Sequence, residues 1–225
     1  MSKRILCFGD SNTWGFMPDG QPKDLSHVLR FPYEERWTGI LQGLLGDGYR
    51  VIEEGLNGRT TAWDDPVSTC RNGAKYLGAC IETHAPLDLI MIMLGTNDLK
   101  PRIAGRAYDS AEGVRVLINI IINNMAQSTK CGRNGAAPPK ILVASPVAVG
   151  SHIEKCSFAD EFGGARSHEE SLKSPGYLSA VAKIHGLEFI DAAKYAKTGA
   201  DAIHLDRDSH KKFAKALAAK IKKIV

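Results

Sequence analysis

Short apolar runs alternate with longer segments of helical period along the whole chain, and this alternation restricts the fold more than any other feature. Strands are predicted, in chain order, at Arg4–Gly9, Arg50–Glu54, Asp88–Leu94, Lys140–Ser145 and Leu187–Asp191. Helices are predicted at Trp37–Leu45, Asn72–Thr83, Ser110–Gln127, Glu169–His185 and Ser209–Ile224. The strands after the second are almost continuously apolar, as parallel strands covered on both faces tend to be. The sequence therefore predicts an α/β fold, a three-layer α/β/α sandwich around a central parallel five-stranded sheet.

Length and composition indicate one globular domain over residues 1–225. The chain has 44% hydrophobic and 24% charged residues, a net charge of +4 and no internal repeat or linker. Much of the positive charge lies on lysines of the last helix, which we interpret as a solvated face, and no nucleic-acid motif accompanies it. No stretch approaches the roughly 20 apolar residues of a membrane span, and the N-terminal apolar run is too short for a signal peptide. A cytoplasmic protein without nucleic-acid or membrane partners is predicted.

The five cysteines are scattered, and no two have CxxC spacing. No HExxH or other ligand spacing is present either, so neither a metal site nor a redox motif is predicted. Three segments, 16–36, 128–139 and 147–166, lack a clear period and are predicted to be loops. The third is interpreted as a lid or an oligomer contact. Asp208 is the predicted N-cap of the last helix.

Polar blocks follow several of the predicted strands, and they are the candidates for a functional site. In parallel sheets, ligands bind beyond the carboxyl ends of the strands. The blocks are GDSNTWG at 9–15, GLNGRT at 55–60, GTND at 95–98 and DAIH at 201–204. Three of the four directly follow a strand, so these segments are expected to meet at one edge of the sheet.

The residues of these blocks suit acyl transfer. A serine hydroxyl, here that of Ser11, becomes a nucleophile when a neighbouring base takes its proton. His204 is the best base because imidazole titrates near neutral pH. Asp201, three residues earlier, can reach the other ring nitrogen and fix the tautomer. The oxyanion needs donors, and the Ser11 and Gly58 backbone N–H groups and the Asn97 side-chain amide are candidates.

Further residues of the blocks are assigned to the surroundings of the substrate, namely Asp10, Trp14 and Thr96. Asp10, like Asp98, is expected to accept backbone N–H bonds and so to hold its loop. Trp14 either lines the acyl pocket or packs beneath the turn. Glycine suits position 58 because the backbone there has to come close to the reacting carbonyl.

The blocks GDSNTWG, GLNGRTT, LGTNDLK and DAIHLD resemble, in order, the four signature blocks of the SGNH (GDSL-type) hydrolases, over about residues 4–210. Within that family the chain is most similar to the bacterial arylesterase and acyltransferase branch. The resemblance implies a flavodoxin-like sandwich, a homo-oligomer, no cofactor, and hydrolysis of short-chain aryl and alkyl esters with some acyl transfer to alcohols. It assigns Ser11 as nucleophile, Gly58 and Asn97 as oxyanion residues, and Asp201 and His204 as acid and base.

One position departs from the family motif, since Asn12 stands where the motif has leucine, and this puts the pocket shape in question. Two alternatives to a short-chain esterase stay open. A carbohydrate O-deacetylase, a thioesterase or a lysophospholipase would use the same machinery. A non-enzymatic flavodoxin-like protein would bind FMN, with the polar loop 11–13 around its phosphate.

Overall fold

The computed structural model describes residues 2–20, 28–126 and 137–225. Its strands are β1 (Lys3–Gly9), β2 (Tyr49–Gly55), β3 (Leu89–Met93), β4 (Lys140–Ser145) and β5 (Glu188–Asp191). They form one sheet in the order β2-β1-β3-β4-β5, with every neighbouring pair parallel. In this register Ile5 of β1 lies opposite Val51 of β2 and Leu89 of β3. The predicted five-stranded parallel sheet is confirmed.

Helices cover both faces of this sheet. They are α1 (Ser11–Trp14), α2 (Trp37–Leu45), α3 (Gly73–His84), α4 (Ala107–Ala126), α5 (Ala159–Phe162), α6 (Ala165–Ser171), α7 (Ser174–Ile184) and α8 (Arg207–Ile224). Successive side chains of a strand point to opposite faces. Ile5 and Cys7 of β1 accordingly join a core with α2 and α8, whereas Leu6 and Phe8 join a second core with α3, α4 and α7. The three-layer sandwich is therefore also as predicted.

Two helix predictions need correction. The single helix expected over Glu169–His185 is two helices, α6 and α7, because Pro175 has no N–H and its ring displaces the carbonyl four residues earlier. Helix α8 is capped by Asp206, whose carboxylate accepts the N–H of Ser209 at 2.7 Å, and not by Asp208, which lies inside its first turn.

The segments predicted as loops contain short helical turns. Residues 147–166 include a 3₁₀ turn at Ile153–Lys155, helix α5 and the start of α6, and residues 16–36 include a 3₁₀ turn at Tyr33–Glu35. Part of the predicted 16–36 loop, most of the 128–139 loop and Cys131 lie outside the described residues. Within the described ranges, no helix combines the length and apolarity that crossing a membrane requires.

Candidate active site

Ser11 is the first residue of α1, immediately beyond the carboxyl end of β1. The turn forms because the carboxylate of Asp10 accepts the N–H of Asn12 at 2.9 Å, which caps the short helix. Ser11 is buried apart from 5% of its surface, and it borders a cavity. The serine hydroxyl is therefore held at the edge of the sheet where the sequence predicts the site.

The DAIH block forms a tight loop between β5 and α8. One carboxylate oxygen of Asp201 accepts the backbone N–H groups of Ile203 and His204, each at 2.9 Å. Ala202 between them has a φ of 63°, a left-handed conformation that is unusual for a residue with a side chain. The other oxygen of Asp201 lies 2.6 Å from Nδ1 of His204. One carboxylate thus shapes the loop and orients the imidazole.

The imidazole connects this loop to the serine, although the two are 193 residues apart. Nε2 of His204 lies 2.8 Å from Oγ of Ser11. Burial opposes ionisation of Asp201, but the His204 ring and the two backbone N–H donors outweigh it and lower the pKa of the carboxyl group. An ionised carboxylate at Nδ1 favours the tautomer with its proton there, which leaves the Nε2 lone pair facing the serine. The structure thus brings together all three residues of the predicted triad.

Two phenylalanines enclose the imidazole. The ring of Phe16 stacks on His204 with a centroid separation of 3.9 Å and an interplanar angle of 20°. Phe158 meets the same imidazole edge-on at 5.7 Å. Such packing restricts rotation of the ring, and an aromatic face also attracts an imidazolium if one forms. Neither residue is visible to motif reasoning, because both come from segments without a clear period.

Asn12 holds the backbone on both sides of His204. Its side-chain oxygen accepts the N–H of Leu205 at 2.8 Å, and its side-chain nitrogen donates to the carbonyl of Ile203 at 3.3 Å. Asn12 does not line the cavity around Ser11. Asn12, the departure from the family motif, therefore supports the histidine loop. It does not shape the cavity directly, contrary to the expectation from the sequence.

The residues of the predicted oxyanion donors, Ser11, Gly58 and Asn97, all line the cavity. The Ser11 and Gly58 N–H groups donate to no acceptor among the described residues. Gly58 has a φ of 75°, a left-handed conformation that favours glycine. Lack of space is not the reason for glycine at this position, because an added Cβ would meet nothing closer than the Arg71 side chain at 3.5 Å. Asn97 lies in the 3₁₀ turn Asn97–Leu99 and uses one amide N–H on the carbonyl of Arg59 at 3.1 Å.

The residues assigned to the substrate surroundings lie outside the cavity lining. Asp10 and Asp98 accept backbone N–H bonds, as predicted, from Asn12 and from Thr61 respectively. Burial raises the pKa of Asp10 to about 6 and that of Asp98 to about 7. The ring of Trp14 instead packs beneath a guanidinium, that of Arg30, 4.7 Å from the ring centroid.

Thr96 is likewise buried and absent from the lining. The buried guanidinium of Arg59 donates to the carbonyls of Gly9 and Glu54. It therefore links the ends of β1 and β2.

The cavity has a volume of about 230 Å³, and ten of its fifteen lining residues are polar or charged, the others being three phenylalanines, an isoleucine and a glycine. The lining residues are Ser11, Phe16, Asn57, Gly58, Asp65, Ser68, Arg71, Asn97, Lys100, Arg102, Phe158, Glu161, Phe162, Ile203 and His204. Part of one wall comes from the 147–166 segment, whose Gly150 N–H donates to the carbonyl of Ala202 in the histidine loop at 2.7 Å. The segment predicted as a lid or oligomer contact is thus attached to the site.

One group of potential metal ligands lies elsewhere among the described residues. Ligand atoms of Glu54, Cys80 and His84 come within 4.8 Å of one another, and none of these residues lines the cavity. Cys80 and His84 are four residues apart on α3 and Glu54 is on β2, so sequence spacing gives no sign of the group. Burial and the nearby Glu54 raise the pKa of Cys80 to about 12.

Comparison with known proteins identifies the family of the chain. The family model for GDSL-like lipase/acylhydrolase matches residues 5–217. A carbohydrate acetylesterase from Sinorhizobium meliloti is 37% identical with a TM-score of 0.89, and the alignment covers all of both chains. An aryl esterase of M. smegmatis is 36% identical with a TM-score of 0.90, again over the full length of both chains.

An acetylxylan esterase of Xylanibacter ruminicola is 28% identical over 97% of this chain, which spans only 43% of that longer relative. The family match confirms the resemblance inferred from the four blocks and removes the ground for the FMN-binding alternative. The chain belongs to the GDSL-like lipase/acylhydrolase family, a family of carboxylic ester hydrolases.

Proposed function

We propose that the protein is a serine esterase that hydrolyses short-chain acyl esters, acetyl esters above all, through an acyl-enzyme. The observation that carries the proposal is the unbroken chain of contacts from Ser11 Oγ through His204 to Asp201, with Ser11 and His204 in the lining of a cavity. This arrangement supplies a nucleophile, its base and the group that orients the base.

In the proposed mechanism, His204 takes the proton of Ser11 as the hydroxyl oxygen attacks the ester carbonyl. The oxyanion is stabilised by the Ser11 and Gly58 N–H groups and by the second amide N–H of Asn97. His204 then protonates the leaving alcohol, and the acyl-enzyme forms. Water, activated by the same imidazole, releases the acid. An alcohol in place of water gives the acyl transfer that the family resemblance implies.

The cavity supports a small acyl group. Its volume of about 230 Å³ is below the roughly 300–1,000 Å³ of typical small-molecule sites. A cavity of this size has no room for the methylenes of a long acyl chain. The polar and charged residues of the lining suit a hydroxyl-rich alcohol, and the similar chains include acetylesterases that act on carbohydrates. A carbohydrate O-deacetylase is therefore favoured over a thioesterase or a lysophospholipase.

A series of p-nitrophenyl esters from acetate to octanoate tests this proposal. We expect kcat/KM to be highest for acetate and to fall roughly 10–100-fold by octanoate, since the cavity is too small for the added methylenes. The release of p-nitrophenol is followed by absorbance, with the Ser11→Ala variant as the blank. An increase of kcat/KM with chain length would contradict a short-chain esterase.

The Asn97→Ala variant tests the oxyanion assignment. We expect kcat to fall roughly 10²–10³-fold with little change in KM, because the amide contributes mainly after charge develops on the oxygen. The matched control is Asn124→Ala on α4, an asparagine that does not line the cavity. A loss in kcat below about tenfold would remove Asn97 from this role.

The homo-oligomer stays a prediction from the family resemblance. Light scattering at micromolar protein concentration measures it directly, and a monomeric mass would contradict it.

A further inference from the structure

The cavity lining carries three cationic side chains other than the histidine, and two carboxylates. Four of these five charges form a continuous network. Asp65 pairs with Arg102 at 3.0 Å, and Arg102 pairs with Glu161 at 2.8 Å. Glu161 also pairs with Lys100 at 2.8 Å. The two carboxylates are thus neutralised by Arg102 and Lys100, which leaves one positive charge in the lining without a counter-charge.

That remaining charge is Arg71. Its guanidinium makes no hydrogen bond or ion pair within residues 2–20, 28–126 and 137–225, although the side chain is partly buried. The backbone of Arg71 is fixed, because its carbonyl accepts the N–H of Thr60 at 3.0 Å. The Cδ of Arg71 lies 3.5 Å from the position that a Cβ on Gly58 would occupy. An uncompensated guanidinium therefore stands beside one of the proposed oxyanion donors.

A guanidinium offers a planar fork of N–H donors that matches a carboxylate, and such charge-assisted pairs are stronger than neutral hydrogen bonds. The proposed oxyanion already has three donors, so the unpaired cation is available to another part of the substrate. An acetyl group carries no ionisable group. With an acetyl ester, a carboxylate that pairs with the Arg71 guanidinium therefore belongs to the alcohol part of the substrate.

We propose that Arg71 binds a carboxylate on the alcohol part of the substrate, so that the preferred substrates are acetyl esters of acidic alcohols, such as sugar acids. This inference rests on the proposed function for the identity of the acyl group. Beyond that function, it specifies that the alcohol part of the substrate is negatively charged, a property that neither the family nor the triad determines.

A matched pair of substrates separates this contact from catalysis. The probes are 4-acetoxybenzoate, whose leaving group carries a carboxylate, and its neutral methyl ester. We expect Arg71→Gln to lower the ratio of kcat/KM for the acid to kcat/KM for the methyl ester by about tenfold, mostly through KM, as one charge-assisted pair is lost. Arg71→Lys should restore part of the ratio because it keeps the charge but not the fork.

The matched control is Arg50→Gln, which removes an exposed arginine near the start of β2, at the opposite end of the sheet from Ser11. It should leave the ratio unchanged. Raising the salt concentration from about 0.05 to about 0.5 M should weaken the preference of the wild type for the acid, since the charge is partly exposed. An Arg71→Gln protein that is folded by circular dichroism but has the wild-type ratio overturns the proposal. Equal losses for both esters also overturn it.

A binding measurement keeps this test independent of turnover. Calorimetric titration of Ser11→Ala with 4-acetoxybenzoate should give an affinity about tenfold higher than titration of the Ser11→Ala, Arg71→Gln double variant. Equal affinities would overturn the role of Arg71. By contrast, a wild type that hydrolyses neither ester while this difference in binding persists would contradict the proposed esterase function and leave the carboxylate contact standing.

Discussion

Replacing Ser11 with alanine is expected to lower kcat by at least about 10⁴-fold while the protein stays folded, because the acyl-enzyme can no longer form. The Ser11 side chain bonds only to His204 in the described structure, so its loss leaves no buried group of the fold without a partner except the imidazole nitrogen. Hydrolysis of p-nitrophenyl acetate measures the effect, and circular dichroism monitors the fold.

Ser68→Ala is the matched control, since Ser68 lines the same cavity but its hydroxyl makes no hydrogen bond to a histidine among the described residues. It should keep activity close to that of the wild type. Intact-mass measurement after treatment with a phosphonylating reagent gives a second readout, with one added phosphonyl group on the wild type and none on Ser11→Ala. A Ser11→Ala protein that retains substantial turnover would rule out the nucleophile assignment.

The second large effect is expected for Asp201→Asn, with a loss in kcat on the order of 10⁴-fold. An amide N–H directed at Nδ1 of His204 would stabilise the tautomer with its proton on Nε2, which faces Ser11 and then cannot accept the serine proton. The amide oxygen can still accept the N–H groups of Ile203 and His204, so the loop should keep its shape. KM is therefore expected to change far less than kcat.

Asp191→Asn controls for the structural part of this substitution. Asp191 accepts the N–H of Ala193, two residues later, at 3.0 Å, just as Asp201 accepts the N–H of Ile203. Unlike Asp201, Asp191 pairs with no histidine among the described residues. Activity of Asp191→Asn should match the wild type. A loss below about tenfold in Asp201→Asn would show that the carboxylate does not control the tautomer.

The strands could be predicted almost to the residue because the physical signal is local. Runs such as Lys140–Ser145 are buried on both faces from Ile141 onwards, so nearly every residue has to be apolar. The meeting of Ser11, His204 and Asp201 could be predicted because the carboxyl ends of parallel strands meet at one edge, whatever their separation in the chain. Pro175 marks the break between α6 and α7 in the sequence as well. The apolar residues continue at helical period on both sides of it, and this pattern predicts a single helix.

The rest of the site depends on contacts between segments that carry no period. The network of Asp65, Arg102, Glu161 and Lys100 joins three stretches of chain, and no spacing within any one of them indicates the others. The same holds for Phe16 and Phe158 around the imidazole. The role of Asn12 is similar, since its two partners lie 191 and 193 residues away. Only tertiary packing assigns these side chains to the site.

The separation of Ser11 from His204 by 193 residues has a consequence for biosynthesis. Strand β1 is paired on both sides in the sheet, and its partners β2 and β3 both leave the ribosome long before the histidine loop. A nascent chain can thus order the serine turn early, yet the proposed base and its carboxylate partner are absent until β5 and the loop after it have emerged. Under the proposed mechanism, reactivity towards cellular esters is withheld until residue 204 has left the ribosome, and a product terminated before that residue lacks the base however well its sheet has formed.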